Sequence, residues 1–374
     1  MGNLELAIKR FLRTGEGAFD DLSLELFQYQ FARNLPYQAY CRSQGIGIGD
    51  VRRWQDIPAV PVQAFKSAEL ATFPIGQAAA VFESSGTTQK TPSRHYLRTL
   101  VYYEASLKTS FENWVLNMTG SGPKNDQVAP LGQTPFLILT SPPSEVPHSS
   151  LSWMMDVVKR RWGAQGSQYF VRQGRLDELW LATMIAKMQA SGTSAILLGT
   201  TIAYQALFEY CRKAGRRFVL PIGSRLMDTG GMKTHKRETS RPDFVRQAGE
   251  FLGIPEDHCI NEYGMCEMSS QFYGKGSSTH LEGPAWVRTL VINPSTGREA
   301  VEGEIGLLRH FDLANVDSVM AIQTEDIGMK PSPGLRPPTP SGGRGAGGEG
   351  FILIGRAPEA DVKGCSISAE AFLR

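Results

Sequence analysis

Hydroxyl side chains are most concentrated around one glycine, at Ser84, Ser85, Gly86, Thr87 and Thr88, inside residues 81–96, VFESSGTTQKTPSRHY. Lys90, Pro92, Ser93 and Arg94 follow. Such a stretch has little to bury. Its hydroxyls, and the amide groups that a glycine can turn toward one point, suit an anion, of which phosphate is the commonest in biology. The same letters also suit a polar surface turn. No GK[ST] triplet follows, so the GxxxxGK[ST] phosphate loop does not fit this stretch.

A second group of reactive side chains lies far downstream. Residues 261–267 read NEYGMCE. Tyr263 offers a ring that can stack on a base, Gly264 a turn, and Glu267 a carboxylate of the kind that holds a phosphate-bound Mg²⁺. Asp326, in the triplet TED, offers an acceptor for ribose hydroxyls. Asp228 to Gly231 spell DTGG, which puts Gly230 and Gly231 after an apolar run. Gly355 and Arg356 follow the run FILI, and Asp361, Lys363 and Gly364 come shortly after. Each has an ordinary counterpart: Tyr263 as a core aromatic, Glu267 as a solvated loop acid and Asp326 as a turn aspartate. Gly343, Gly345 and Gly348 satisfy GxGxxG, but no strand is predicted before them and a strand rather than a helix after them, which rejects a dinucleotide fingerprint. His258, Cys259 and Cys266 are close in sequence yet match no common zinc spacing.

The elements that must position these residues are legible from periodicity. Residues 1–50 read as helical, with a mixed apolar surface from Leu22 to Phe31 continued by Tyr37, Tyr40 and Cys41. Residues 54–66 carry Pro58 and Pro61 and are expected to run extended over the surface of a larger body. Residues 78–82 form a strand leading into the hydroxyl run, and residues 97–115 the helix after it. From Pro135 onward, apolar runs at 136–140, 195–199, 218–222, 226–228 and 259–262 alternate with helical patterns at 151–158, 176–190, 202–214 and 240–252. Ser240-Arg-Pro-Asp243 is a capping signal with proline in the first turn. Alternation of this kind implies parallel strands joined by right-handed crossovers, an α/β body.

After Gly283 the pattern becomes β-rich and reads as an antiparallel addition. Residues 331–350 hold almost nothing apolar and are expected to form a mobile Pro/Gly loop. The implied division is residues 1–283 as the α/β body, 284–354 as a β-rich subdomain containing that loop, and 355–374 as a short terminal hinge segment.

With 374 residues, 41% of them hydrophobic, 20% charged and a net charge of +2, the chain reads as a soluble globular protein with a sizeable core. The charge favours neither nucleic acid nor a membrane surface. The five cysteines are scattered and form no CxxC pair, which suits free thiols in a reducing compartment. The N-terminal residues form an amphipathic helix start without an apolar signal core, and no stretch is long enough to span a bilayer, so a cytoplasmic location is expected.

Taken in order, SSGTT, DTGG, NEYGMCE, TED and GR…DVKG resemble the adenylate-forming enzymes: acyl-CoA ligases, luciferases and peptide-synthetase adenylation domains. The resemblance implies a large N-terminal α/β domain of parallel sheets flanked by helices, with a small antiparallel β subdomain. It further implies that Ser84, Ser85, Gly86, Thr87 and Thr88 grip the ATP phosphates, helped by Gly230 and Gly231. Tyr263 and Gly264 would frame adenine, Glu267 would ligand Mg²⁺, and Asp326 and Arg356 would reach the ribose or phosphates. Two departures stand out. Lys90 precedes Pro92, where many members place the lysine directly after the proline. The chain also stops soon after the hinge, so the superfamily's C-terminal domain with its catalytic lysine is expected to be missing.

That departure, together with residues 57–66 (IPAVPVQAFK), SSGTT…SRH, His148-Ser-Ser-Leu151, LLGT at 197–200, TGGMK at 229–233 and KGCSISAE at 363–370, resembles the acyl-protein synthetase (LuxE-type) family. In that family a cysteine near the C-terminus takes the acyl group, and Cys365 is the match. The resemblance implies ATP-dependent activation of a carboxylic acid, of the fatty-acid type, as acyl-adenylate. Lys90 would support the leaving pyrophosphate and His148 would orient the carboxylate or accept a proton. Transfer to Cys365, and then to an acyl reductase or acyl-carrier partner, would follow. Two alternatives stay open at this point: a phenylacetate-type acyl-CoA ligase, and a nucleotide-binding module without catalysis.

Overall fold

The runs Phe136–Leu139, Ile196–Thr200, Arg225–Thr229 and Cys259–Tyr263 are short and mostly buried, and each of the first three is followed by a helix-forming sequence, the pattern of a parallel sheet covered by helices. In the computed structural model, which describes residues 2–84, 91–117, 134–230, 239–331 and 346–357, they pair in parallel. The described chain divides into two compact units.

The unit formed by residues 111–264 and 272–281 holds this sheet. Its strand order is Gln168–Tyr169, Phe136–Leu139, Ile196–Thr200, Arg225–Thr229, Cys259–Tyr263 and then Phe272–Lys275, the last antiparallel. Helices are started by capping side chains: Ser149 Oγ accepts from the Ser152 amide, Thr200 Oγ1 from Ala203, and Ser240 Oγ from Asp243. Thr200 is both the last residue of its strand and the cap of helix Thr201–Lys213, so strand and helix meet with no intervening loop. Helix Arg241–Leu252 starts and stops where the capping signal predicts. Leu137, Leu197, Leu226, Tyr204, Phe208, Phe244 and Phe251 pack the core under these helices.

The run at residues 218–222 forms no strand and joins no ladder. The amides of Phe218 and Leu220 instead donate to the carbonyls of Phe251 and Leu252, tying this loop to the end of a helix. Apolar character here comes from packing Phe218 and Leu220 into the core, not from strand pairing.

The other unit combines residues 1–110, 265–271 and 282 onward. Helices Gly2–Thr14, Phe19–Arg33 and Leu35–Ser43 accompany an antiparallel run of strands Val287–Ile292, Ile305–Asp312, Ala321–Met329 and Ala346–Arg356. Trp54 sits edge-on to Phe311 at 5.0 Å, and Phe11 edge-on to Trp286 at 6.3 Å. Residues 54–66 do not lie on the surface as expected. Trp54, Ile57, Val60, Val62 and Phe65 are buried, and Val60–Pro61 pairs in parallel with Ile322–Gln323. The prolines keep the segment extended, and its alternate apolar side chains make it part of the core.

Two boundaries also move. Ala321–Met329 runs on past Asp326, with a register shift between Ile327 and Gly328, so TED lies within the strand. The following strand begins at Ala346, which places the last five residues of the expected 331–350 loop in a ladder. Gly328 makes the close approach possible: a Cβ there would lie 2.7 Å from both the Ile352 carbonyl oxygen and Leu308 Cδ2.

Candidate active site

In the unit that contains the N-terminus, strands Ala80–Glu83 and Arg94–Leu97 form an antiparallel hairpin with Phe82 opposite His95 and Glu83 opposite Arg94. Its neck is closed by three contacts. The Ser84 amide donates to the Ser93 carbonyl at 3.2 Å, the Ser93 amide donates to Ser84 Oγ at 3.0 Å, and Arg94 pairs with Glu83 at 3.2 Å. Ser84 is therefore a residue of the neck, its hydroxyl engaged in closing the hairpin. Ser85, Gly86, Thr87, Thr88 and Lys90 lie outside the described residues, as do Gly231 and Cys365.

Glu267 lies in a loop whose backbone is held on several sides. The Cys266 carbonyl lies 2.9 Å from His95 Nδ1, and the Glu267 carbonyl accepts from Asn315 Nδ2 at 2.8 Å. The amides of Ser269 and Ser270 both donate to Asp312 Oδ2, at 3.0 and 2.9 Å, and Ser270 Oγ donates to Asp312 Oδ1. Burial raises the Asp312 carboxyl to about 6 against these hydrogen bonds, which pull the other way. Burial likewise lowers His95 to about 4, so the imidazole is neutral near pH 7. The Cys266 thiol is pushed far up by burial first and then by the carboxylates of Glu267 and Glu83, which makes it an inert thiol.

Asp326 faces Arg356 across the last ladder. Arg356 donates through Nε to Glu325 Oε2 at 3.0 Å and bonds the same oxygen through Nη2, while Glu325 Oε1 accepts from Gln63. Partial burial works against the Arg356 charge. The Glu325 hydrogen bond and the fields of Glu325, Asp326 and Glu267 outweigh it and raise the pKa. Glu267, Asp326 and Arg356 thus share one electrostatic neighbourhood of this unit.

The second unit carries the other candidates. Gly230 ends strand Arg225–Thr229 with φ +96°, a conformation that favours glycine, and its carbonyl accepts from Thr201 Oγ1 at 3.0 Å. Asp228, two residues earlier, gathers Thr201 Oγ1 at 3.1 Å, Asn261 Nδ2 at 3.2 Å and the buried Arg241 guanidinium. Tyr263 closes the neighbouring parallel strand, its ring edge-on to Phe272 at 5.9 Å, and exposed Gly264 follows. Glu262, opposite Thr229, accepts from its hydroxyl and is raised to about 7 by burial, with the nearby Asp228 charge adding to the rise. These residues gather at the carboxyl ends of parallel strands, where open α/β sheets bind ligands. His148 lies in the segment that leads into helix Ser150–Trp162 and is exposed.

Sequence reasoning did not single out Asn315, Asp312, Glu325 or Glu262, and met His95 only as the last letter of a motif. The alternation Arg94 out, His95 in, Tyr96 half-buried, Leu97 in was the available signal for a buried histidine.

Among the described residues no three metal-ligating side chains cluster, and no helix is long and apolar enough to cross a membrane. A lone carboxylate such as Glu267 fits an ion carried mainly by nucleotide phosphates, and does not fit an all-protein metal cage.

The fold is that of the adenylate-forming enzymes. 2-Hydroxyisobutyryl-CoA ligase in an open conformation, with 2-HIB-AMP and CoA, superposes with a TM-score of 0.60 at 15% identity, over 90% of this chain and 69% of that one. The same ligase in the postadenylation state with 2-HIB-AMP gives 0.62 at 15% identity, over 93% and 70%. The long-chain-fatty-acid–luciferin-component ligase of Aliivibrio fischeri is 22% identical over 353 residues, 93% of this chain and 87% of that protein. Residues 15–373 match the family model of acyl-protein synthetase, LuxE. The chain belongs to that family, and it is accordingly an acyl-activating, AMP-forming ligase.

Proposed function

We propose that the chain activates a long-chain fatty acid with Mg-ATP and passes the acyl group to the thiol of Cys365. The carrying observation is the shared neighbourhood of Glu267, Asp326 and Arg356, the residues expected to meet the metal, the ribose and the phosphates. Membership of an acyl-protein synthetase family supports the same reading.

In the first step a carboxylate oxygen attacks the α-phosphorus of ATP. The bond from that phosphorus to the bridging oxygen breaks, and pyrophosphate leaves with the electron pair. Glu267 would hold the divalent ion, which when bound supplies positive charge to the phosphates. Ser84 would keep the neck of the hairpin closed while Ser85, Gly86, Thr87, Thr88 and Lys90 meet the departing charge. Tyr263, Gly264, Gly230 and Gly231 would frame the nucleotide, Asp326 would accept from the ribose, and Arg356 would exchange part of its bond with Glu325 for phosphate or ribose. His148, which is exposed, would orient the incoming carboxylate or accept a proton.

In the second step the Cys365 thiolate attacks the acyl carbon and AMP leaves, giving a thioester. Lys363 favours the thiolate. An acyl reductase or acyl carrier would then receive the acyl group. Cys365 would have to reach the adenylate for this step.

ATP–pyrophosphate exchange across a panel of carboxylic acids tests the first step. Exchange that needs a long-chain acid supports it, and no exchange with any acid refutes it. Cys365→Ser is expected to keep exchange while losing the acyl adduct in intact mass. CoA-dependent turnover that survives Cys365→Ser would point to an acyl-CoA ligase instead.

A further inference from the structure

His95 spends a polar side chain in the interior for a single bond. It is fully buried, its ring stands edge-on to Phe65 at 6.1 Å, and Nε2 has no hydrogen-bond partner among the described residues. A buried polar atom left without a partner costs about 1–3 kcal/mol, so packing alone would favour an apolar side chain here. Its one bond is to the carbonyl of Cys266. A carbonyl only accepts, so Nδ1 carries the hydrogen and donates. That carbonyl belongs to the peptide group joining Cys266 to Glu267, and fixing its plane fixes the direction in which the Glu267 Cα leaves it. Asn315 holds the next carbonyl, so the glutamate is clamped on both sides. His95 differs from Asn315 in its origin. It stands on the hairpin from which the hydroxyl run issues, opposite Phe82 and two residues from Ser93.

We propose that His95 is a positioning residue for Glu267: one N–H···O bond from the hydroxyl-run hairpin sets the direction of the carboxylate that holds the nucleotide-borne divalent ion. This inference rests on the reading of Glu267 given above. It couples the metal ligand to the described strands of the hairpin on which His95 stands.

The test measures ATP binding by calorimetry on the full chain, once with Mg²⁺ and once with EDTA, for wild type, His95→Phe, His95→Asn and His95→Gln. The readout is the ratio of the two dissociation constants, the gain in affinity due to the metal. His95→Phe keeps a ring against Phe65 and removes the donor. Its ratio is expected to fall by about tenfold, the lower end for loss of a residue that orients a metal ligand. Its affinity in EDTA is expected to stay within about twofold, because the metal-independent contacts are untouched. The asparagine amide reaches the place of Nδ1 and should restore most of the ratio, whereas the glutamine amide reaches the place of Nε2 and should not. Loss of a purely structural histidine would raise both dissociation constants together and leave their ratio unchanged.

A wild-type ratio in His95→Phe overturns the proposal, as does equal behaviour of His95→Asn and His95→Gln. If His95→Phe does not fold, the asparagine–glutamine contrast decides alone. Failure of the wild type itself to bind ATP would overturn the function reading and this inference with it, and is recognised without any variant.

Discussion

Replacing Glu262 with glutamine should change how stability depends on pH, by an amount the structure allows to be worked out. Glu262 is 5% exposed, accepts from Thr229 Oγ1, and is raised from its ordinary 4.5 to about 7 by burial. An acid raised in the folded state binds more protons folded than unfolded wherever the pH lies between the two values. Stability from this group is therefore fully present below about pH 4.5 and is lost as pH rises to about 7. At about 1.4 kcal/mol per pH unit, the loss is about 3.5 kcal/mol as an upper figure. Glutamine keeps an oxygen for Thr229 and cannot ionise. The assay is urea unfolding of wild type and Glu262→Gln at intervals from pH 5 to 8. Asp312 and Glu282, raised by burial to about 6 and about 7, titrate in both proteins and cancel in the difference. The variant should gain on the wild type steadily up to about pH 7 and then hold its lead. Parallel curves for the two proteins would refute the reasoning, whatever their absolute offset.

Two further expectations concern the ion pairs. Asp228→Ala leaves the buried Arg241 guanidinium without its carboxylate and strips acceptors from Thr201 and Asn261. Unfolding by urea should show a loss of about 3–5 kcal/mol, the usual cost of breaking a buried pair from one side. Arg356→Ala removes a pair whose arginine side chain is 45% exposed. Stability should change by less than about 1 kcal/mol, while acid-dependent pyrophosphate exchange should fall at least about tenfold if Arg356 meets developing charge.

Much of the fold could be read in the residues because its signals are local. The apolar runs from Phe136 to Tyr263 alternate with capped helices, and the Ser240 cap with Pro242 places helix Arg241–Leu252 to the residue. What sequence missed depends on partners distant in the chain. The prolines at 58 and 61 read as a surface segment, yet the side chains between them meet a strand more than 250 residues away, at Ile322 and Gln323. Residues 331–350 read as one loop, yet strand Ala346–Arg356 takes its last five residues, and Gly328 fits close beside Ile352 in the paired strand. The candidate site divides in the same way. Glu267, Asp326 and Arg356 stood out because charged residues beside glycines at the ends of apolar runs are visible as text. His95, Asn315, Asp312 and Glu325 did not, since what they hold is backbone or side chain contributed by other elements, and no spacing reports it.

Transfer of oxygen from acid to nucleotide tests the central claim most directly. With a long-chain acid carrying ¹⁸O in both carboxylate positions, and a thiol acceptor to complete the cycle, attack at the α-phosphorus leaves one labelled oxygen on the released AMP. The account predicts AMP heavier by a single ¹⁸O, formed together with unlabelled pyrophosphate. Release of unlabelled AMP, or of ADP with labelled phosphate, would contradict it.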